Sequence, residues 1–220
     1  MNRMYDSRRT THDVRHTIHG GRNLEDVWAI ILAAGESKRM GFPKMLLEFD
    51  GITMIERVMS NVIGSMVVNA VVVLGSESEK IIKLVEKTSL SSCYNRNYKE
   101  GMLSSVKCGF RQISGDTAAV LVFQGDQPFI TPLIINSLIE AYRGSDKGIV
   151  VPVYNKKRGH PLLVANKYFK EVQLIDASDG LRVLAQRFPE DVLEVDTSEP
   201  GIIRDFDTYI DYLEEINKNA

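Results

Sequence analysis

Apolar residues in this chain gather into short runs, and the period of the pattern changes from run to run. Val27 to Leu32 is a continuous apolar run with the length and β-branched content of a buried strand. Leu46 to Phe49 predicts a second, short strand closed by a turn at Asp50-Gly51. From Ile52 to Met66 the apolar positions are Ile52, Ile55, Val58, Met59, Val62 and Ile63, which is helical spacing. Val67 to Leu74 reads as another buried strand, ended by Gly75-Ser76, and Glu77 to Lys87 as a helix with Ile81, Ile82 and Val85 inward. A strand over Ser89–Cys93 leads to a polar loop, Tyr94 to Met102, and then to a helix from Ser104-Ser105 to about Ile113. Ala118 to Phe123 is a further strand. Thr131-Pro132 opens a helix, with threonine as cap and proline at the first helical position.

The second half is patterned less regularly. Gly148 to Tyr154 predicts a strand that runs into a basic loop, Asn155 to Pro161, and Leu162 to Val164 returns from it as a strand. Tyr168 to Leu174 suits a short helix, and Ser178-Asp179-Gly180 opens one that runs through Phe188. Val192 to Val195 is a late strand, and the last helix spans Tyr209 to about Ile216. Strands alternating with helices define an α/β chain built on a doubly wound, mostly parallel sheet.

Composition changes this picture mainly at the amino end. Residues 1–26 hold five arginines, four acids and three of the four histidines but few large apolar residues, so they read as a disordered extension ahead of a domain at 27–220. His12, His16 and His19 have a spacing that suits a metal on a helix, yet no apolar helical face or companion cysteine accompanies them, and a polar tail is the preferred reading. The rest of the 220 residues is ordinary globular material, 44% apolar and 25% charged. A net charge of −2 argues against a nucleic-acid partner. No membrane-spanning run and no secretory apolar core occur, and two cysteines, Cys93 and Cys108, imply no disulfide framework; a cytoplasmic setting follows as the expectation.

The densest chemistry lies directly after the first strand, in Leu32-Ala33-Ala34-Gly35-Glu36-Ser37-Lys38-Arg39-Met40-Gly41-Phe42-Pro43-Lys44. Side-chain bulk disappears at Ala33, Ala34 and Gly35, which lets backbone approach a ligand closely and lets free amides wrap an anion. Arg39 and Lys44 add two cations within ten residues of that turn. Such a loop suits a triphosphate, with amides for the inner phosphates and cations for the outer ones. Neither the P-loop nor the dinucleotide fingerprint is present.

Other candidates follow in order. Gly101-Met102 precedes Ser104 and Ser105 at a helix start, a place for a ribose or phosphate and equally for a simple cap. Gln124-Gly125-Asp126-Gln127-Pro128 follows the strand ending at Phe123, and an acid at that end of an open parallel sheet sits where such sheets bind ligands. Arg158-Gly159-His160-Pro161 combines a bidentate cation with a group titrating near neutrality. Asp205 and Asp207 stand at i and i+2, on one side of an extended segment.

Together these stretches resemble the molybdenum cofactor cytidylyltransferases, a branch of the nucleotidyltransferases. The likeness covers residues 27–216 and rests on the long loop, on Gly-Met-x-x-Ser, Gly-Asp-Gln-Pro and Arg-Gly-His-Pro, and on Asp-x-Asp-Thr. It departs from the family at Ser178, where a glycine stands in the family's stretch around Asp179, Gly180 and Arg182, and at Tyr209 and Ile210. The resemblance implies a Rossmann-like nucleotidyltransferase fold in α/β/α layers. It implies transfer of CMP from CTP to the terminal phosphate of molybdopterin or the molybdenum cofactor, with loss of pyrophosphate. Leu32, Ala33, Ala34, Gly35, Ser37, Arg39, Lys44, Ser104, Ser105 and Gly125 would hold the nucleotide, with Arg39, Lys44 and Asp126 catalytic. Arg158, Gly159, His160, Asp179 and Arg182 would face the second substrate. Asp126 with Asp207, or with Asp205, would carry Mg²⁺. The Ala33-Ala34-Gly35 form resembles the cytidylyl rather than the guanylyl branch. A molybdenum hydroxylase is the implied receiver of the product. Two other readings compete: transfer to another phosphate, such as a sugar phosphate, and a non-catalytic carrier of the cofactor.

Overall fold

The computed structural model describes residues 26–38, 40–204, 206 and 208–219. All of the expected extension except Asp26 lies outside them, as do Arg39, Asp205 and Asp207.

The strands are β1 (Val27–Ala33), β2 (Glu48–Phe49), β3 (Ile52–Thr53), β4 (Asn69–Leu74), β5 (Ser91–Tyr94), β6 (Ala119–Gln124), β7 (Ile149–Tyr154), β8 (Lys157–Arg158), β9 (Leu162–Ala165) and β10 (Val192–Asp196). The helices are α1 (Met54–Ile63), α2 (Ser78–Val85), α3 (Met102–Phe110), α4 (Pro132–Arg143), α5 (Phe169–Leu174), α6 (Val183–Arg187) and α7 (Tyr209–Asn219). Strand order across the main sheet is β10-β7-β9-β6-β1-β4-β5, with β8 paired to β7. β1 pairs in parallel with β4 and β6, as β4 does with β5 and β7 with β10. β9 runs antiparallel to both β6 and β7. The sheet is therefore mostly parallel, as the alternation of elements predicts, with one reversed strand in its interior.

Both faces of the sheet are covered. On one, Ile55, Val58, Met59 and Val62 of α1, Ile81 and Val85 of α2, and Ile134 to Tyr142 of α4 pack on Ala29, Ile31, Leu121 and Phe123. On the other, Leu103, Val106 and Phe110 of α3, Val172 of α5 and Leu184 of α6 pack on Ile30, Leu32, Val120 and Val122. Alternate residues of β1 and β6 thus serve opposite layers, and the central strands are apolar throughout because both faces are dry. Each fully buried side chain of this size contributes about 1.5–3 kcal/mol.

Local chemistry sets the boundaries. Asp50 (φ 51°) and Gly51 (φ 79°) turn β2 into β3, the pair of positive φ values that a tight hairpin needs. The helix expected from Ile52 starts two residues later. Thr53 and Glu56 form a reciprocal cap that holds Ile52-Thr53 extended, with Glu56 N–H donating to Thr53 Oγ1 and Thr53 N–H to the Glu56 carboxylate. Thr131 caps α4 with Pro132 at its first position, as the sequence predicts. Ser178 to Arg182 is not helical, and α6 begins only at Val183; Gly180 weakens helix propagation there, and the segment bends into turns. The two cysteines come together between β5 and α3, both as free thiols, with Sγ atoms 3.7 Å apart. Among the described residues no helix is long and apolar enough to cross a membrane.

Candidate active site

Because β1, β4, β5, β6, β7 and β10 all point one way, their carboxyl ends share an edge of the sheet. β9 enters from that same edge, so the loop from Tyr154 to Pro161 also lies there. Two adjoining cavities open at this edge, and Leu32, Met102 and Gln124 line both.

The smaller, about 330 Å³, lies over the end of β1. Ala34, Gly35, Glu36, Ser37 and Lys38 form one wall, and Tyr98, Lys99, Gly101, Met102 and Ser105 the other. Ser37 organises the first wall from a left-handed conformation, φ 49°. Its carbonyl accepts from the N–H groups of Met40 and Gly41, and its Oγ accepts from Lys44 N–H at 3.1 Å. That closed turn delivers Lys44 to Asp126, with Nζ and Oδ2 2.9 Å apart and the two side chains only 11% and 20% exposed. Lys38 pairs with Glu36 at 2.8 Å, and the hydrogen bond to that carboxylate raises the pKa of its ammonium.

On the second wall the polar loop is tied down by Asn95, a buried side chain. Its amide donates to Ser104 Oγ at 2.8 Å and to Ser105 Oγ at 3.0 Å, and its Oδ1 accepts from Asn97 N–H. Ser104 donates in turn to carbonyls of the loop, so its hydroxyl is spent on the turn while Ser105 faces the cavity. α3 itself starts at Met102, two residues ahead of the expected start.

Four of the described residues expected on the nucleotide do not line this cavity. Ala33 is buried within β1, Lys44 reaches Asp126 from behind the loop, Ser104 serves the loop, and Gly125 packs on β1. Gly125 N–H donates to Leu32 O at 3.0 Å, and a Cβ on it would come within 2.9 Å of that oxygen. Its glycine character answers to strand packing. Ala34 lies against Gly75 at the end of β4, where a Cβ would fall 2.7 Å from the alanine methyl.

The larger cavity, about 650 Å³, has an apolar floor that includes Val122, Val151, Leu162 and Leu181. Arg158, Gly159, His160, Asp179 and Arg182 all line it, which brings together the five residues assigned to the second substrate. Gly159 N–H donates to Pro152 O and His160 N–H to Ile202 O, both at 2.9 Å. A Cβ on Gly159 would fall 2.3 Å from Ile202 O, so only glycine fits this crossing. Arg158 lies at the rim, with Nε donating to Glu194 Oε1 at 2.7 Å. The ring of His160 meets the Gln124 amide, whose Nε2 is 3.1 Å from Nε2 of the histidine.

Gln124, Asn95 and Tyr98 were not singled out from sequence. A signal existed for the first: Gln124 is a polar residue at the carboxyl end of an apolar strand. Among the described residues no group of three or more His, Cys, Asp or Glu is arranged to hold a metal; Asp126 and Glu36 are the carboxylates that line the smaller cavity.

The edge thus carries a small-residue loop, a lysine-paired aspartate and a second pocket beside them, and the comparisons identify the chain as a nucleotidyltransferase. Residues 29–192 match the MobA-like NTP transferase domain, and the chain belongs to that family. It is 30% identical over 199 residues to a probable molybdenum cofactor guanylyltransferase of Methanosarcina mazei, spanning 86% of this chain and 85% of that protein. It is 26% identical over 186 residues to the molybdenum cofactor cytidylyltransferase of Escherichia coli K12, spanning 84% and 92%. In fold it resembles the manganese complex of Rv0371c from Mycobacterium tuberculosis H37Rv, with a TM-score of 0.73 at 19% identity over 89% of this chain and all of that one.

Proposed function

We propose that this enzyme transfers CMP from CTP to the terminal phosphate of molybdopterin or its molybdenum-loaded form. The observation that carries the reading is the pair of adjoining cavities. One has the small-residue loop and Asp126, with Lys44 paired to that aspartate from behind the loop; the other has an apolar floor with Arg158, His160 and Arg182 at its polar side. A flat, amphipathic acceptor with a terminal phosphate suits the larger space, and a nucleoside triphosphate the smaller.

An oxygen of the acceptor phosphate attacks the α-phosphorus of CTP, the bond from that phosphorus to the bridging oxygen breaks, and pyrophosphate leaves with the electron pair. A phosphate monoester near neutral pH is already largely dianionic, so no general base is needed. What the chain supplies is position and charge. The amides of Ala34 to Ser37 face the phosphates, Lys44 neutralises the leaving group, and Arg39 is assigned the same task from its place in the loop. Ser105 and the amide end of α3 face the nucleoside. Arg158 and Arg182 hold the acceptor phosphate, and His160 donates to it.

A divalent cation fits Asp126. The donor is a hard carboxylate oxygen at the strand end, and Mg²⁺ is usually held by one or two carboxylates plus substrate phosphates. Asp207 or Asp205 is the proposed companion ligand. When bound, the ion would neutralise charge on the phosphates. The cytidine assignment rests on Ala34, and the relatives carry both cytidylyl and guanylyl names. A molybdenum hydroxylase is proposed as the receiver of the dinucleotide.

Mass analysis of the product formed from CTP and the cofactor tests this reading. A CMP adduct is expected, and recovery of unmodified cofactor would overturn it.

A further inference from the structure

The register of the sheet carries one step more. β6 and β9 are antiparallel and their last pair toward this edge is Val122 with Leu162, so Gln124 and His160 each lie two residues beyond the end of the ladder, where their side chains meet. On its other side Gln124 is the parallel partner of Leu32 in β1. Gln124 therefore stands where the two halves of the site join, and it lines both cavities.

Its contact with His160 has a particular geometry. The amide nitrogen is 3.1 Å from Nε2 and 3.4 Å from Nδ1 of the ring. An atom that near to both ring nitrogens lies over the N–C–N side of the imidazole face, not on the in-plane lone pair of either one. The amide thereby packs against the imidazole at the junction of the two cavities. A hydrocarbon of the same length would fill the space without directing the ring.

We propose that Gln124 is a positioning residue: it holds the imidazole of His160 at the junction of the two cavities and acts on the acceptor side of the reaction through that ring. This rests on the reading of the larger cavity as the acceptor site. The test uses the full chain with Gln124→Met, which keeps the length and removes the amide. Three results are expected. The imidazole ¹⁵N signals of His160 shift in the free variant, while its melting temperature stays close to that of the parent. The KM for the molybdenum cofactor rises and kcat falls, each roughly tenfold, the scale of a slightly misplaced group. In a His160→Ala background the same Gln124→Met change has less than about a twofold effect, because its route of action is already gone.

Unmoved His160 signals, or full additivity of the two substitutions, would overturn the proposal. The ring signals are read on the free protein. If the parent transfers no nucleotide, the functional reading fails while the spectrum still decides whether Gln124 orients His160.

Discussion

Lys44 Nζ stands 2.9 Å from Asp126 Oδ2, joining the loop after β1 to the loop after β6. Neither residue is near the other in sequence, and the strands that carry them are parallel neighbours. In the proposed reaction the lysine would serve phosphate oxygens and the carboxylate a divalent ion.

Lys44→Ala removes the cation proposed to neutralise the leaving group. A loss of about 10²–10³-fold in kcat is expected, by analogy with a deleted oxyanion donor. The fold is expected to survive, since the main apolar layers do not depend on this side chain. Steady-state rates beside a melting curve check both; a fully active or an unfolded variant would refute the assignment.

Asp126→Ala takes away one of the carboxylates lining the smaller cavity, the proposed nucleotide site. Metal-dependent turnover should vanish, and titration with Mn²⁺ in the presence of CTP should show a weakened or absent site. Unchanged metal dependence would remove Asp126 from the metal shell.

Gly159→Ala puts a methyl 2.3 Å from Ile202 O, which is backbone and has no rotamer to yield. The loop carrying Arg158 and His160 must shift. Overpacking of this kind costs about 1–3 kcal/mol. A displacement near 1 Å is enough to cost about 10²-fold in turnover. CTP affinity, measured by calorimetry, should hardly change, because the contact is on the acceptor side.

Thr53 and Glu56 supply a prediction independent of function. The hydrogen bonds from Thr53 hold the Glu56 carboxyl below its ordinary value of 4.5. A depressed carboxyl stabilises the fold above its unfolded pKa, and that stability is lost as pH falls through the folded value. Thr53→Ala should therefore cost about 0.5–2 kcal/mol at neutral pH. The difference from the parent should narrow as the pH drops below 4.5. Melting temperatures across pH 3 to 7 check it, at about 2–4 °C per kcal/mol for a domain of this size.

Much of the fold was legible because period and length agree in it. Runs such as Val27–Leu32 and Ala118–Phe123 are short, β-branched and bounded by turn residues, and both are central strands. What escaped was set by pairing. Nothing local in Leu162 to Ala165 says that β9 runs backwards, since a reversed buried strand has the same apolar pattern as a parallel one. Helix starts moved for local reasons that competed with apolar spacing: the reciprocal cap at Thr53 delayed α1, and Gly180 cut α6 short. In the site, the loop motifs located both cavities. They failed where a residue's type has two uses. Gly125 reads as room for a ligand but makes room for β1, and Ser104 reads as a ligand contact but bonds its own loop. Gln124 and Asn95 act through neighbours that only the sheet brings to them.

The most direct test of the central claim is pyrophosphate release from the full chain with Mg²⁺ and molybdenum cofactor, run in parallel with CTP, GTP, ATP and UTP and repeated without the cofactor. Release with CTP that requires the cofactor is the expected result. Release with GTP alone would keep nucleotidyl transfer and contradict the cytidine assignment carried by Ala34. No release with any nucleotide, from a protein that still binds CTP and the cofactor, would contradict catalysis itself and leave a carrier of the cofactor in its place.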